Sequence, residues 1–238
     1  MDTQKIKLGF STGSLHKFCT AKEALRVLKD AGCNAVELGF VKMNRIEEGQ
    51  LDEISRSDLA GFDHVSFHAP KFNYGNDEGS IEIFRKIAKI NAIRKLDLVV
   101  FHPDCVQDFG VFKEAMFDVA FENMDNRKQS FQRPDELERV LSLDVAYKLV
   151  LDVNHIYSND PSMELARTFY SRLGSKIAQI HLSGYIEYHD PIYVTRQIDI
   201  IKSIQDFSVP IIIESVISPQ EISKERNYIL EVIADLAK

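Results

Sequence analysis

The 238-residue sequence predicts an α/β fold, a closed (β/α)8 barrel forming one domain over residues 1–238. Three observations predict it. Short β-rich runs alternate with amphipathic helical runs along the whole chain, the pattern of a parallel sheet. Several of the β-rich runs are almost wholly apolar, Leu98-Val99-Val100-Phe101 and Ile211-Ile212-Ile213 among them, as strands buried on both faces require. Each strand–helix pair takes roughly 25–35 residues, the size of a βαβ unit. Eight such units favour a closed ring over the competing open, doubly wound sheet.

The expected strands are Lys7–Phe10, Ala35–Leu38, His64–His68, Leu96–His102, Asp118–Asn123, Lys148–Asp152, Ile177–His181 and Pro210–Glu214. Helix signals fall between them. Thr20-Ala21-Lys22-Glu23 and Ser218-Pro219-Gln220-Glu221 each fit a capping box, in which the first hydroxyl and the fourth carboxylate satisfy each other's orphan amides. Pro219 occupies the favoured first helical position, and Asp160-Pro161 reads as a third helix start of the same kind. Gly32 follows Leu25, Leu28 and Ala31 as a helix stop. The Phe-rich segment with Phe109, Phe112 and Phe117 reads as a core-facing helix rather than a stacking platform for bases. No Gly/Ser-rich or Pro-rich linker divides the chain.

Composition narrows the function classes. Hydrophobic residues make up 45% of the chain, enough for a full core. The net charge of −7 argues against an extended basic surface for nucleic acid or anionic lipid. Cys19, Cys33 and Cys105 are scattered and odd in number, which suggests reduced thiols in a cytoplasmic protein. The opening from Met1 to Lys7 is polar and reads as no leader peptide, and no apolar run nears the ~20 residues of a membrane span. There is no Walker A loop, no dinucleotide-binding glycine fingerprint after a strand and no serine-hydrolase elbow.

The informative feature is where the polar residues fall. Six expected strands end in a group able to bind a metal: His68, His102, Glu122, Asp152 (with His155 three residues on), His181 and Glu214. In a (β/α)8 barrel all these ends open onto one face. Three carboxylates packed there would repel one another and resist desolvation, and a cation relieves both costs. Imidazole and carboxylate ligands without thiolate favour Zn²⁺, or Mn²⁺, over a structural zinc site. His16 lies in the first loop and His64 starts its strand, so neither joins the set. Glu37, inside the second strand, is assigned a structural ion pair in preference to lining the pocket.

The segments "FHAP" at His68, "FHPD" at His102, "FENM" at Glu122, "LDVNH" from Leu151 to His155, "IHLS" at His181 and "IIES" at Glu214 resemble the xylose isomerase-like TIM barrels. That group includes the endonuclease IV type (AP endonuclease family 2), and the resemblance runs over nearly the whole chain. It implies one of two site chemistries. In the sugar isomerases and epimerases one metal is held by residues matching Glu122, Asp152, His181 and Glu214. Glu122 and Glu214 then act as the catalytic acid/base pair and His155 touches the substrate. In the endonuclease IV type there are three zinc ions. His68 and His102 bind the first and Glu122 bridges to the second. Asp152, His181 and Glu214 complete the second. His155, His189 and an acidic residue hold the third, with Glu187 at the family's Asp position and Asp190 as the alternative.

Two enzyme classes and a non-enzyme follow. The first is a hydrolase of a phosphate ester, with abasic-site DNA as one candidate substrate, using a metal-activated water. Arg127, Lys128 and Arg133 are possible phosphate contacts there, although a solvated loop face explains them better. The second is a sugar or sugar-acid isomerase or epimerase. The third is a barrel with a vestigial site that binds a metabolite or partner.

Overall fold

The structure is a computed structural model and describes residues 5–236, so most of the polar opening at Met1 lies outside the described residues. Eight strands form a closed parallel barrel in sequential order. They are β1 (Leu8–Ser11), β2 (Ala35–Gly39), β3 (His64–His68), β4 (Leu98–Phe101), β5 (Val119–Glu122), β6 (Lys148–Asp152), β7 (Ile177–Leu182) and β8 (Ile211–Ile213). The ring closes where β1 pairs with β8, Leu8 opposite Ile211 and Phe10 opposite Ile213. Several ends differ from the sequence expectation by one to three residues. Asp97, for example, precedes β4 because its carboxylate accepts from the Val65 amide at 2.9 Å and so ties the loop to β3.

Alternation along each strand sorts the side chains. Val36, Leu38, Val65, Phe67, Val99, Phe101, Phe121, Leu149 and Leu151 face the helices and belong to the main core. Leu98, Val100, Ala120 and Val150 form a separate, smaller apolar cluster inside the barrel. Polar residues hold many of the other interior positions, among them Glu37, Ser66, His68, Glu122, Asp152, Gln179 and His181, and they build the site. Gly9 is required by packing rather than flexibility: a Cβ there would lie 1.6 Å from the Ala35 carbonyl oxygen.

The helix starts follow their local chemistry. Thr20 caps helix Ala21–Asp30 through a complete capping box, and the chain turns out at Gly32 with φ +72°. The Ser218 box is also complete, but it opens a 3-10 turn, Pro219–Glu221, that leads into helix Ile222–Leu236. The Asp160-Pro161 start is corrected. The helix begins at Glu164 behind Met163 at φ 61°, and Asp160 accepts instead from the Ser162 and Leu165 amides. The Phe-rich segment is a 3-10 turn, Phe109–Glu114, whose buried Phe112 meets Phe101 edge-on at 4.7 Å. Among the described residues no helix is long and apolar enough to cross a membrane.

Candidate metal centre

The inward positions at the C-terminal ends of the strands meet in a buried cluster. His68 ends β3, Glu122 ends β5, Asp152 ends β6 and His181 lies on β7, while His102 and Glu214 directly follow β4 and β8. A register shift at Leu149/Val150 between β6 and β7 places Asp152 opposite His181. Such irregularities commonly re-aim side chains at active sites.

Glu122 is the hub. One oxygen lies 3.0 Å from His102 Nε2 and 3.3 Å from His68 Nε2, and the other lies 2.7 Å from His181 Nδ1. Two donor groups thereby share it. His68, His102 and Glu122 offer atoms all within 4.8 Å of one another, and so do Glu122, Asp152, His181 and Glu214. His68 also groups with His181 and Glu214, and His102 with Asp104 and Cys105, although Asp104 is already paired with Lys128.

The donor chemistry fits a cation. The His68 ring donates from Nδ1 to the Ala69 carbonyl at 3.2 Å. In the neutral ring its Nε2 lone pair therefore faces the Glu122 carboxylate, lone pair to lone pair. A proton or a metal ion resolves that conflict. His155 repeats the arrangement, donating from Nδ1 to the Asn123 carbonyl at 2.7 Å while Nε2 lies 3.3 Å from Asp152 Oδ2. Asp152 divides its work. Its Oδ1 caps helix Val153–Asn159 by accepting from the Asn154 and His155 amides at 2.7 and 2.9 Å. Its Oδ2 is buried without a hydrogen-bond partner, as is His102 Nδ1. Capping and site readings of this residue thus hold together, one oxygen each.

The electrostatics agree. Burial opposes ionisation of Glu122, yet His181 and the hydrogen bonds from the surrounding imidazoles hold its carboxyl well below the usual range. Burial also disfavours the His181 cation, but Glu214, Glu37 and Glu122 together push it well above an ordinary imidazole. Glu214 is pushed up to about 7 by burial and by Glu122 and Glu37, against the pull of His181. Asp152 rises to about 6, chiefly by burial. Burial lowers His102 to about 4 and His189 to about 3, which leaves both as neutral rings with free lone pairs. Protons on His68, His155 and His181 thus stand where a metal ion would balance the carboxylates.

Among the described residues, the expected third group does not form one of the compact donor groups. His155 and His189 are neighbours, with ring centroids 6.1 Å apart, but Glu187 is exposed on the loop. Asp190 accepts from the Ile186, Glu187 and Tyr188 amides at 2.7, 2.9 and 3.2 Å, so it caps the turn that carries Glu187. Local spacing could not foresee this capping. Asp125 instead approaches His155 Nε2 at 3.9 Å. His189 is held by Ser183, whose hydroxyl lies 2.9 Å from Nδ1.

Glu37 makes the ion pair the sequence reading assigned it, and its partner is a residue of the cluster. Its Oε2 lies 3.0 Å from His181 Nε2, directly beneath the cluster. Gln179 donates to the same oxygen at 2.8 Å and accepts from His64 Nε2 at 2.7 Å. A buried polar chain therefore runs from His64, near the start of β3, to Glu122. Parity was the available signal: with Val36 and Leu38 facing out, Glu37 must face in. The basic loop after β5 is also engaged internally. Arg127 pairs with Asp125 and stacks over Tyr188 at 3.8 Å, and Lys128 pairs with Asp104. Arg133 sits at the start of helix Pro134–Leu141.

Fold and cluster together define a parallel barrel with candidate metal-ligand groups at the strand ends. The solved structures it resembles are xylose isomerase-like TIM barrels. A D-tagatose 3-epimerase-like protein superposes with TM-score 0.74 at 14% identity, covering 98% of each chain. Endonuclease IV from Thermus thermophilus gives 0.71 at 15% identity, over 96% of this chain and 99% of that one. IolI protein, solved with a binding zinc atom, gives 0.68 at 16% identity, over 97% and 99%. No protein-family model and no curated protein sequence matches the chain.

Proposed function

We propose that the chain is a divalent-metal-dependent enzyme, in the first instance a hydrolase of a small phosphate ester. One observation carries this reading: two donor groups, His68/His102/Glu122 and Glu122/Asp152/His181/Glu214, share the Glu122 carboxylate. A shared carboxylate suits a paired-cation centre, which when loaded stabilises both the attacking and the leaving oxygen of a displacement. Zn²⁺ fits the mixed imidazole and carboxylate donors, as does Mn²⁺. Glu37 would keep the far nitrogen of His181 protonated and so direct Nδ1 to the ion, the carboxylate–histidine–metal arrangement. His155 and His189 lie beside the centre, placed to contact the substrate. The similarity to endonuclease IV supports a phosphate ester. The internal pairing of Arg127 and Lys128 favours a small molecule over duplex DNA.

The test is hydrolysis of p-nitrophenyl phosphate mono- and diesters by zinc- and manganese-loaded protein, with abasic-site DNA as a third substrate. Turnover that chelator and His181→Ala both abolish supports the reading. Fully loaded protein that turns over none of the three overturns it.

A second reading has its own observation. Glu122 stays ionised while Glu214 is pushed up to about 7, so the two carboxyls differ in protonation near neutral pH. Such a split pair suits proton transfer between adjacent carbons. The likeness to a D-tagatose 3-epimerase-like protein agrees with an isomerase or epimerase. Solvent deuterium uptake into a sugar or sugar acid, lost in Glu214→Gln, tests it. No exchange across a panel of both compound types rejects it.

A further inference from the structure

A cavity of about 360 Å³ opens beside the centre, walled on one side by Glu214 and His189 and elsewhere by His16, Lys42, Arg45 and Lys71. That volume lies within the range of small-molecule sites. Its charge runs against that of the protein: the chain carries −7 overall, yet the wall beyond the centre is basic. We propose that this cavity is an oxyanion subsite, and that the substrate carries a second anionic group at a distance from the atoms held at the metal centre. The proposal rests on the centre being the seat of reaction, and it goes further by naming what the rest of the substrate must carry.

Three facts support it. Arg45 is 7% exposed and fixed from several sides. Its Nη1 donates to the Gly39 carbonyl at 2.9 Å, its Nε donates to Gln50 Oε1 at 3.2 Å, and its guanidinium lies over the Phe40 ring at 5.5 Å. None of these partners is a carboxylate, and Nη2 is buried without a hydrogen-bond partner. Glu48 acts on this cation through Gln50 without an ion pair, so an anion in the cavity would further offset the cost of burying it. Among the described residues, Lys42 and Lys71 are exposed on the cavity wall and make no ion pair, so both are available to an anion there. Exposed His16 is depressed by partial desolvation and then by Lys42, Arg45 and Lys17, a second sign of positive potential in that corner. Phosphate and carboxylate both answer this chemistry. Arg45 would supply fixed positive charge behind the wall, and the two exposed lysines would supply mobile charge and the hydrogen bonds to the anion.

The experiment titrates inorganic phosphate, and separately acetate, into the full chain by calorimetry, in metal-free and zinc-loaded forms. The Lys42→Ala/Lys71→Ala variant is compared with wild type, and Lys42→Gln/Lys71→Gln serves if the alanine protein is poorly folded. Two lost charges near one bound anion should weaken phosphate binding about tenfold and flatten its salt dependence. The weakening is expected in both metal states, because the ions do not belong to this wall. Phosphate bound more tightly than acetate assigns a phosphoryl group to the subsite, and the reverse assigns a carboxylate. Equal phosphate affinity in wild type and variant overturns the proposal, as does a wild type that binds neither anion. Because the metal-free titration needs no turnover, an inactive protein that still shows the lysine-dependent anion site rejects the proposed reaction alone.

Discussion

Replacing Glu122 with glutamine should empty both halves of the centre at once. The amide keeps the volume but removes the charge, and one of its two ends becomes a donor. The carboxylate now meets His68 at 3.3 Å, His102 at 3.0 Å and His181 at 2.7 Å, so an NH2 group there would face a nitrogen that should bind metal. Outer partners of ligands already change affinity about 10–100-fold, and a shared direct ligand should exceed that. The consequence can be read as stability. An ion at 100 times its dissociation constant stabilises the fold by about 2.7 kcal/mol, hence about 5 kcal/mol for two sites. For a chain of this size 1 kcal/mol moves Tm by about 2–4 °C, so zinc should raise wild-type Tm by about 10–20 °C. Glu122→Gln should show less than about a quarter of that rise and bind well under one equivalent. His102→Ala, which belongs to only one of the two groups that share Glu122, should lose one equivalent and keep the other. Metal analysis by mass spectrometry and paired thermal scans with zinc or chelator make the measurement. A Glu122→Gln protein that retains both ions and the full thermal shift would show that the two groups do not depend on a common ligand.

Metal affinity should climb from pH 5 to 8, because Asp152 and Glu214, raised to about 6 and 7 in the metal-free state, hold protons the ion must displace. Calorimetry in buffers of different ionisation heat should detect those protons, and a flat affinity across this range rejects the assignment. The same shifts fix the sign for metal-free stability. A carboxyl whose folded-state value is raised stabilises below its unfolded value and loses that contribution as pH rises through about 7; the raised imidazoles of His68, His155 and His181 act in the same direction. Chelated protein should therefore lose Tm from pH 6 to 8 while loaded protein does not, and equal slopes would contradict it. Glu37→Gln should weaken zinc about 10–100-fold without changing stoichiometry, since it acts only through His181 Nε2; unchanged affinity removes Glu37 from the centre. Glu187→Gln should leave metal content intact, whereas Asp190→Ala, which frees three backbone amides, should cost about 1–3 kcal/mol in urea unfolding. Zinc lost in Glu187→Gln would restore it as a ligand.

Much of this protein is written in one dimension. Runs such as Leu149-Val150-Leu151 are apolar at every position because a barrel strand is covered on both sides, by helices outside and by the layered interior within. Strand ends are legible for the same reason: Glu122 and Asp152 each break an apolar run at the position where the chain leaves the packed wall, and His68 ends β3 in the same way. Capping boxes at Thr20 and Ser218 are local chemistry within four residues, and they formed as local chemistry requires.

Other features depend on residues far apart in the chain, and no spacing encodes them. That Glu122 serves as the hub follows from β3, β4, β5 and β7 leaning their ends together across the barrel mouth, at separations of up to 59 residues. Glu37 joins His181 from 144 residues away, so its role is set by the closure of the ring. Asp190 is a turn cap because three amides converge on its Oδ2. Hydrophobic periodicity thus determined the barrel and the face on which chemistry could occur. Only the closed ring, whose register brings particular imidazoles and carboxylates within a few ångströms, decided which of them meet, because electrostatic and ligand interactions fall off within that distance.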